Sequence, residues 1–443
     1  MTIRLLIPRR IVFPGLLTML LSFSFCGFAT AVSPQFGTAS ETSKGTQRES
    51  QVASQQAKSD PLTSAPKKNG TKPLKVFILA GQSNMQGHAN ISTLNSMKDD
   101  PKTAPILKEI LNDKGQPRVC EKVWISSVGC AGDGWSQVIE QKGKLGAGFG
   151  ASPQKIGPEY TFGIYMEKML NEPILIIKTS WGGRNLHTDF RPPSAGPKTF
   201  NEYTLSQWKK RKIDEKEEMA KINKNVGVFY RHMIEHVKKV LADIKRVVPD
   251  YDPAQGYELA GFAWFQGFND IIDDWTYHDR MKPGGYDLYA DLFAHFIRDV
   301  RKDLNAPKMP FVIGVMGIGG IKEGKKPPHL YFRAAQAAPA LLPEFKGNVF
   351  IVKTELFWDD ELDQLKEKRD ALNRKIDQNA KKNKISNQER EKLFKQALAE
   401  QFTPTELKKL EGASNGGYHY LGAAKILAPI GKAFAEALVP TKK

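Results

Sequence analysis

Four glycine-bounded blocks hold the residues best suited to chemistry in this 443-residue chain. The first, Gly81-Gln82-Ser83-Asn84-Met85-Gln86-Gly87, follows an apolar run at 75–80. The second, Ser180-Trp181-Gly182-Gly183-Arg184, and the third, Gln266-Gly267-Phe268-Asn269-Asp270, also follow apolar runs. The fourth, Gly416-Gly417-Tyr418-His419-Tyr420, precedes an apolar segment of helical period. A serine just past the carboxyl end of a buried parallel strand has its own backbone N–H and a helix dipole at hand to stabilise an oxyanion. A histidine brought to it by folding can act as its base. This set suits nucleophilic acyl transfer. Taken alone, Gly-x-Ser has a plainer reading, a serine that caps the next helix.

These blocks need elements to position them. Runs at 75–80, 122–126, 173–179, 259–265, 310–316 and 348–354 are short and β-branched or aromatic, with Gly, Pro or Asn at their ends. They read as buried strands. Segment 225–247 places Val226, Phe229, Met233, Val237, Val240, Leu241 and Ile244 on one helical stripe, and 286–304 and 421–438 behave likewise. Strands apolar throughout, alternating with helices, predict an α/β fold with a parallel sheet covered on both faces. Segment 359–410 departs from this pattern, being rich in Lys, Glu, Asp, Gln and Asn with sparse Leu362, Leu365 and Leu372. It predicts charged helices broken near 385–387 and 403–404, with Thr403 or Thr405 as a cap. No heptad is sustained, so the segment reads as a solvated spacer rather than a partner-binding coil.

At the N-terminus Arg4, Arg9 and Arg10 precede an apolar stretch at 11–28 and then Ala29-Thr30-Ala31. That order predicts a signal peptide over 1–31, hence an exported protein (periplasmic or secreted) with no membrane span after its removal. Residues 32–73 predict a disordered linker. The ordered chain then divides into 74–360, a charged helical insertion at 361–411, and 412–440 carrying the His419 loop and the last helix. Cys120 and Cys130 remain after signal removal, and an oxidising compartment permits a bridge between them. The net charge of +17 is concentrated in 58–75 and 365–409 without aromatic interleaving. It reads as solvated surface, with no nucleic-acid partner. His232-Met233-Ile234-Glu235-His236 fits a zinc-peptidase pattern, but with no third ligand in view it reads as surface histidines beside a core stripe. Of the histidines near the blocks, His187 could contact a substrate, whereas the local helix should point His88 away from Ser83.

In this order the four blocks resemble the SGNH hydrolase superfamily, and within it the sialate O-acetylesterase-like carbohydrate esterases. Gly81-Gln82-Ser83-Asn84-Met85 matches that group's nucleophile block, Trp264-Phe265-Gln266-Gly267 its third block, and His419-Tyr420 its histidine block. The similarity spans about 74–438 apart from the insertion. It implies a three-layer α/β/α fold and a serine esterase that removes acetyl groups from carbohydrate, either sialic acid or a polysaccharide such as xylan, without metal or organic cofactor. Ser83 would be the nucleophile and His419 the general base. The oxyanion donors would be the Ser83 N–H, a glycine N–H (Gly183, with Gly182 as the alternative) and the Asn269 side chain, with Gln266 as a fourth candidate.

Two positions depart from the family pattern. Phe268 stands where the sugar-esterase branch carries Glu, and Gly416 where the superfamily places Asp three residues before the histidine. The acid is therefore open among Asp270, Asp359 and Asp360, or a Ser–His dyad oriented by a backbone carbonyl. Trp181, Trp264, Phe268 and Trp275 offer faces that stack on sugars, with core packing as the plainer reading for Trp264. Arg184 and Arg191 could bond hydroxyls or a carboxylate. Two other readings are a secreted carbohydrate-binding protein that has lost catalysis and an esterase acting on lipid or thioester.

Overall fold

The computed structural model describes residues 72–129 and 139–439. The expected signal peptide, nearly all of the linker, and Cys130 lie outside them. The described residues form nine strands: β1 (Leu74–Gly81), β2 (Ala89–Asn90), β3 (Val123–Val128), β4 (Gln141–Lys144), β5 (Lys155–Ile156), β6 (Ile174–Ser180), β7 (Tyr257–Phe265), β8 (Phe311–Val315) and β9 (Val349–Lys353). Seven form one sheet in the order β4-β3-β6-β1-β7-β8-β9, and β2 pairs with β5. All neighbours in the large sheet are parallel except β3 and β4. The six apolar runs in the sequence became its six parallel strands. Strand β4 carries no apolar run to announce it, and its Gln-Lys-Gly-Lys composition suits an edge where charge discourages further pairing.

Helices cover both faces. Along β1, Val76 and Ile78 pack into one apolar cluster with Phe229, Met233, Phe293 and Phe296, while Phe77 and Leu79 pack into another with Phe162, Ile426 and Phe434. The first cluster uses the helices Val228–Ala242 and Asp287–Asp303, and the second uses Pro158–Leu170 and Ala424–Leu438. The result is the three-layer α/β/α architecture. Helix Pro158–Leu170 has no polar stripe because its first nine residues are buried, which hid it from periodicity. Among the described residues no helix is long and apolar enough to cross a membrane.

The insertion is more than a spacer. Helices Asp360–Lys382, Asn387–Gln401 and Pro404–Leu410 enclose their own small core of Leu365, Leu372, Phe402 and Leu410. Thr403 and Glu406 form a reciprocal capping box at the third helix.

Candidate active site

Strand β1 lies where the strand order reverses, with β6 and β3 on one side and β7, β8 and β9 on the other. Open parallel sheets hold their ligands at the carboxyl ends of strands at such a point. Register brings three of the blocks level there, since Gly81 pairs with Ser180 of β6 and with Phe265 of β7. The first block is thus flanked directly by the second and third.

Ser83 opens the short helix Ser83–Gln86 and is nearly buried, at 7% exposure. Its N–H lies in a first helical turn, where no intrahelical acceptor exists. A methyl group placed on Gly182 would lie 3.8 Å from Ser83 Cβ and 3.1 Å from Gln86 Oε1, so this glycine closes against Ser83. Gly183 has φ +75°, a left-handed conformation natural to glycine, and faces open space. Gln82 Oε1 accepts from Gln266 Nε2 and the Gly267 N–H, each at 3.2 Å, and from the Asn269 N–H at 3.4 Å. The first block is thereby stitched to the third. That buttress was not recognised from sequence.

The His419 turn docks against this assembly. The turn that carries Ser83 packs on the turn Gly417–Gly422 that carries His419. No hydrogen bond joins Ser83 Oγ to the imidazole, and free enzymes commonly hold such pairs more loosely than reacting ones. His419 Nδ1 lies 3.1 Å from Asn415 Oδ1. The Gly416 N–H donates to the same oxygen at 2.7 Å, which fixes the orientation of the amide. His419 therefore donates from Nδ1 and leaves Nε2 as the basic atom. Burial, aided by Lys155, pushes the His419 pKa down to about 4. Tyr420 and Leu421 follow at φ +51° and +59°, unusual for non-glycine residues. Tyr420 Oη holds the turn in place by accepting from the Gly317 N–H at 2.8 Å and standing 2.7 Å from Thr354 Oγ1.

Several expectations need correction. Asp270 does not meet His419. It is fully buried and accepts from the Leu186 N–H, the His187 N–H, Tyr277 Oη and Gln266 Nε2. It braces the second block against the third. Asp359 caps the helix Asp360–Lys382 through the Leu362 N–H and pairs with Lys425 at 2.5 Å. Asn415, an amide four residues before the histidine, occupies the place sought for an acid. Gln266 Nε2 is committed to Gln82 Oε1, the Arg184 carbonyl and Asp270 Oδ2, so it is no oxyanion donor.

Trp181 is not a sugar platform either. It is 3% exposed, packed between Phe190 and Phe229. Trp264 is core, and Trp275 packs with Tyr203 and beneath Arg211. Arg191 is buried and donates to the carbonyls of His187, Ala195, Gly196 and Pro197. His187 is held between Lys198 Nζ and Asp273 Oδ2, both 2.8 Å away. His236 is not a surface residue, for Ser126 Oγ meets its Nε2 at 2.9 Å inside the fold. His88, expected to point away from Ser83, stacks on His419.

What remains at the rim is half-buried Phe268, 5.8 Å from the exposed Tyr418 ring, and partly exposed Arg184, whose guanidinium lies 4.3 Å from the Phe229 centroid. A cavity of about 770 Å³ lies elsewhere, between the insertion and the 92–100 segment, and none of the four blocks lines it.

A family model described as carbohydrate esterase, sialic acid-specific acetylesterase, matches residues 73–370. The chain belongs to this family. The match contains Ser83 and the second and third blocks, and it ends inside the insertion, before Asn415 and His419. The family is one of carbohydrate esterases, so the chain is placed among ester hydrolases acting on acetylated carbohydrate. No curated protein matches it. Solved structures with a likeness include a protein from Arabidopsis thaliana, at 17% identity and TM-score 0.35, covering 64% of this chain and 86% of that one. A carbohydrate acetylesterase from Xanthomonas citri has the same identity and TM-score, covering 62% of this chain and 49% of that one.

Proposed function

We propose that this family member is an exported serine esterase that removes O-acetyl groups from a sugar, either sialic acid or an acetylated polysaccharide, through an acyl-enzyme on Ser83. The observation that carries the reading is His419, pinned through Nδ1 by Asn415 on a turn packed against the Ser83 turn. In the first step Ser83 Oγ attacks the acetyl carbonyl carbon while its proton passes to His419 Nε2. The sugar oxygen then leaves with that proton as the ester C–O bond breaks. Water repeats the sequence, releasing acetate and restoring the serine. Asn415 serves in the role that a carboxylate plays elsewhere, fixing the tautomer and ring direction.

The oxyanion would be met by the Ser83 N–H, the Asn269 side chain and the glycine pair. Proximity to Ser83 favours Gly182 over Gly183. Phe268, Tyr418 and Arg184 supply an aromatic and cationic rim suited to a sugar ring and its polar substituents.

The test is hydrolysis of p-nitrophenyl acetate and acetate release from a panel of acetylated glycans. Ser83→Ala should abolish both while its thermal unfolding stays that of the wild type. A fluorophosphonate probe should label the wild type and not the variant. Turnover retained in Ser83→Ala removes the nucleophile assignment, and failure of the wild type to be labelled favours a binding protein.

A further inference from the structure

We propose that His88 is a positioning residue for the base, a neutral imidazole whose face holds the His419 ring in its working plane. The inference rests on His419 being the base of the reaction above.

The backbone is built to deliver His88 to this place. Gly87 ends the nucleophile turn at φ +90°, and a methyl group there would lie 2.0 Å from Gly157 Cα. Only glycine lets the chain press against that neighbour and turn out of the helix, so His88 emerges toward the His419 turn. The next two residues are held on both sides. Ala89 and Asn90 pair with Ile156 and Lys155, and the Asn90 N–H donates to Ser414 Oγ at 3.0 Å. The two rings then lie 3.9 Å apart between centroids with 2° between their planes.

The surroundings set the charge of His88. Lys155 Nζ lies 3.3 Å from its Nδ1, and Asn415 Nδ2 lies 3.5 Å from the same atom. Both are donors, so Nδ1 must be the acceptor and the ring proton sits on Nε2. The titratable groups facing the ring are His419 itself, Lys155 of β5 and Lys178 of β6, and Lys178 is already paired with Glu159. Buried, and with ammonium groups beside it, the ring stays neutral.

Asn415 thus spans both imidazoles, accepting from His419 through Oδ1 and donating toward His88 through Nδ2. The Asn415 bond fixes rotation about the His419 side chain, and the stack fixes the plane of the ring. Together they aim Nε2. When that nitrogen takes the Ser83 proton, the new cation rests on a neutral aromatic face, which attracts it. His88 itself gains and loses no proton.

Three variants of the full chain separate face from hydrogen bond, assayed beside Ser83→Ala and His419→Ala. His88→Ala removes both, His88→Gln keeps a polar group without a ring, and His88→Phe keeps a ring without the acceptor. His88→Ala should lose about tenfold or more in kcat with KM changed less than about threefold, a misaimed base being costly. His88→Phe should recover to within about threefold of wild type, and His88→Gln should not. Wild-type kcat in His88→Ala, or rescue by Gln and not by Phe, overturns the proposal. A second readout is independent of rescue. Water admitted beside His419 in His88→Ala should move the acid limb of kcat/KM upward from about pH 4, toward the free-imidazole value. An unmoved limb likewise counts against it. Full activity in His419→Ala would instead remove the base assignment, whereas an inactive His419→Ala beside an unaffected His88→Ala removes only the platform.

Discussion

Lys178 Nζ lies 2.8 Å from Glu159 Oε2, and neither side chain has any exposed surface. The same ammonium donates to the Gln86 carbonyl, at the end of the Ser83 turn, and to the Phe149 carbonyl, each at 2.7 Å. Glu159 completes the link by accepting from the Gly157 N–H at 2.8 Å. The pair ties β6, the Ser83 turn and the start of helix Pro158–Leu170 into one rigid seat.

Breaking that pair from one side should be severe. Lys178→Met leaves the Glu159 carboxylate buried without its partner and should cost about 3–5 kcal/mol in denaturant unfolding. The double variant Lys178→Met/Glu159→Gln should regain part of the loss, because no uncompensated charge remains. A single variant as stable as the wild type would show that the pair does not seat the turn.

Tyr420→Phe removes a hydroxyl that accepts from the Gly317 N–H and meets Thr354 Oγ1. Two buried polar groups then lose a partner, and stability should fall by about 1–3 kcal/mol. Turnover should fall as well, since this anchor holds the residue next to His419 against the ends of β8 and β9. Stability and kcat measured together check the link.

Asn415→Asp should move the pH profile in a defined direction. In the wild type His419 is held near a pKa of about 4, so kcat/KM should rise through about pH 4 as the base becomes neutral and then level off. A carboxylate at 415 would favour the imidazolium and raise that pKa, shifting the acid limb upward. Asn415→Ala should instead lower kcat by about 10- to 100-fold through loss of orientation. An acid limb unchanged in Asn415→Asp would separate this side chain from the base.

Acid should also weaken the fold through the stacked pair. Burial lowers His88 to about 3 and His419 to about 4, both below the usual 6.5. The folded protein therefore holds them neutral where an unfolded chain would bind protons. Their stabilising contribution is complete above about pH 6.5 and is lost as the pH falls through the folded values. Thermal unfolding of the wild type should drop across this window, and His88→Ala/His419→Ala should show a shallower fall.

The parallel strands were legible because buried strands need unbroken apolar runs, as at 75–80 and 173–179. The capped third helix of the insertion was legible at Thr403 because a capping box is a local pattern. Edge strand β4 was not, since one-sided pairing asks little of its side chains. The insertion read as solvated because its core draws single residues, Leu365, Leu372, Phe402 and Leu410, from three separated helices.

For the site, the chain alone singled out Ser83 and His419, because a serine at a strand end and a histidine in a glycine-rich loop leave signatures within a few neighbouring residues. It could not decide what each neighbour would face. Asp270 and Gln266 looked available in the linear order, yet register placed them where buried backbone N–H groups and Gln82 claim their polar atoms. Asn415 carried no signal in the linear order and His88 was expected to point away from Ser83, yet folding set both against His419. Residue type determines what chemistry is possible within a short stretch. Hydrogen bonds between residues up to some 330 positions apart, such as Asn90 to Ser414, are settled only when the sheet and its two helical layers close.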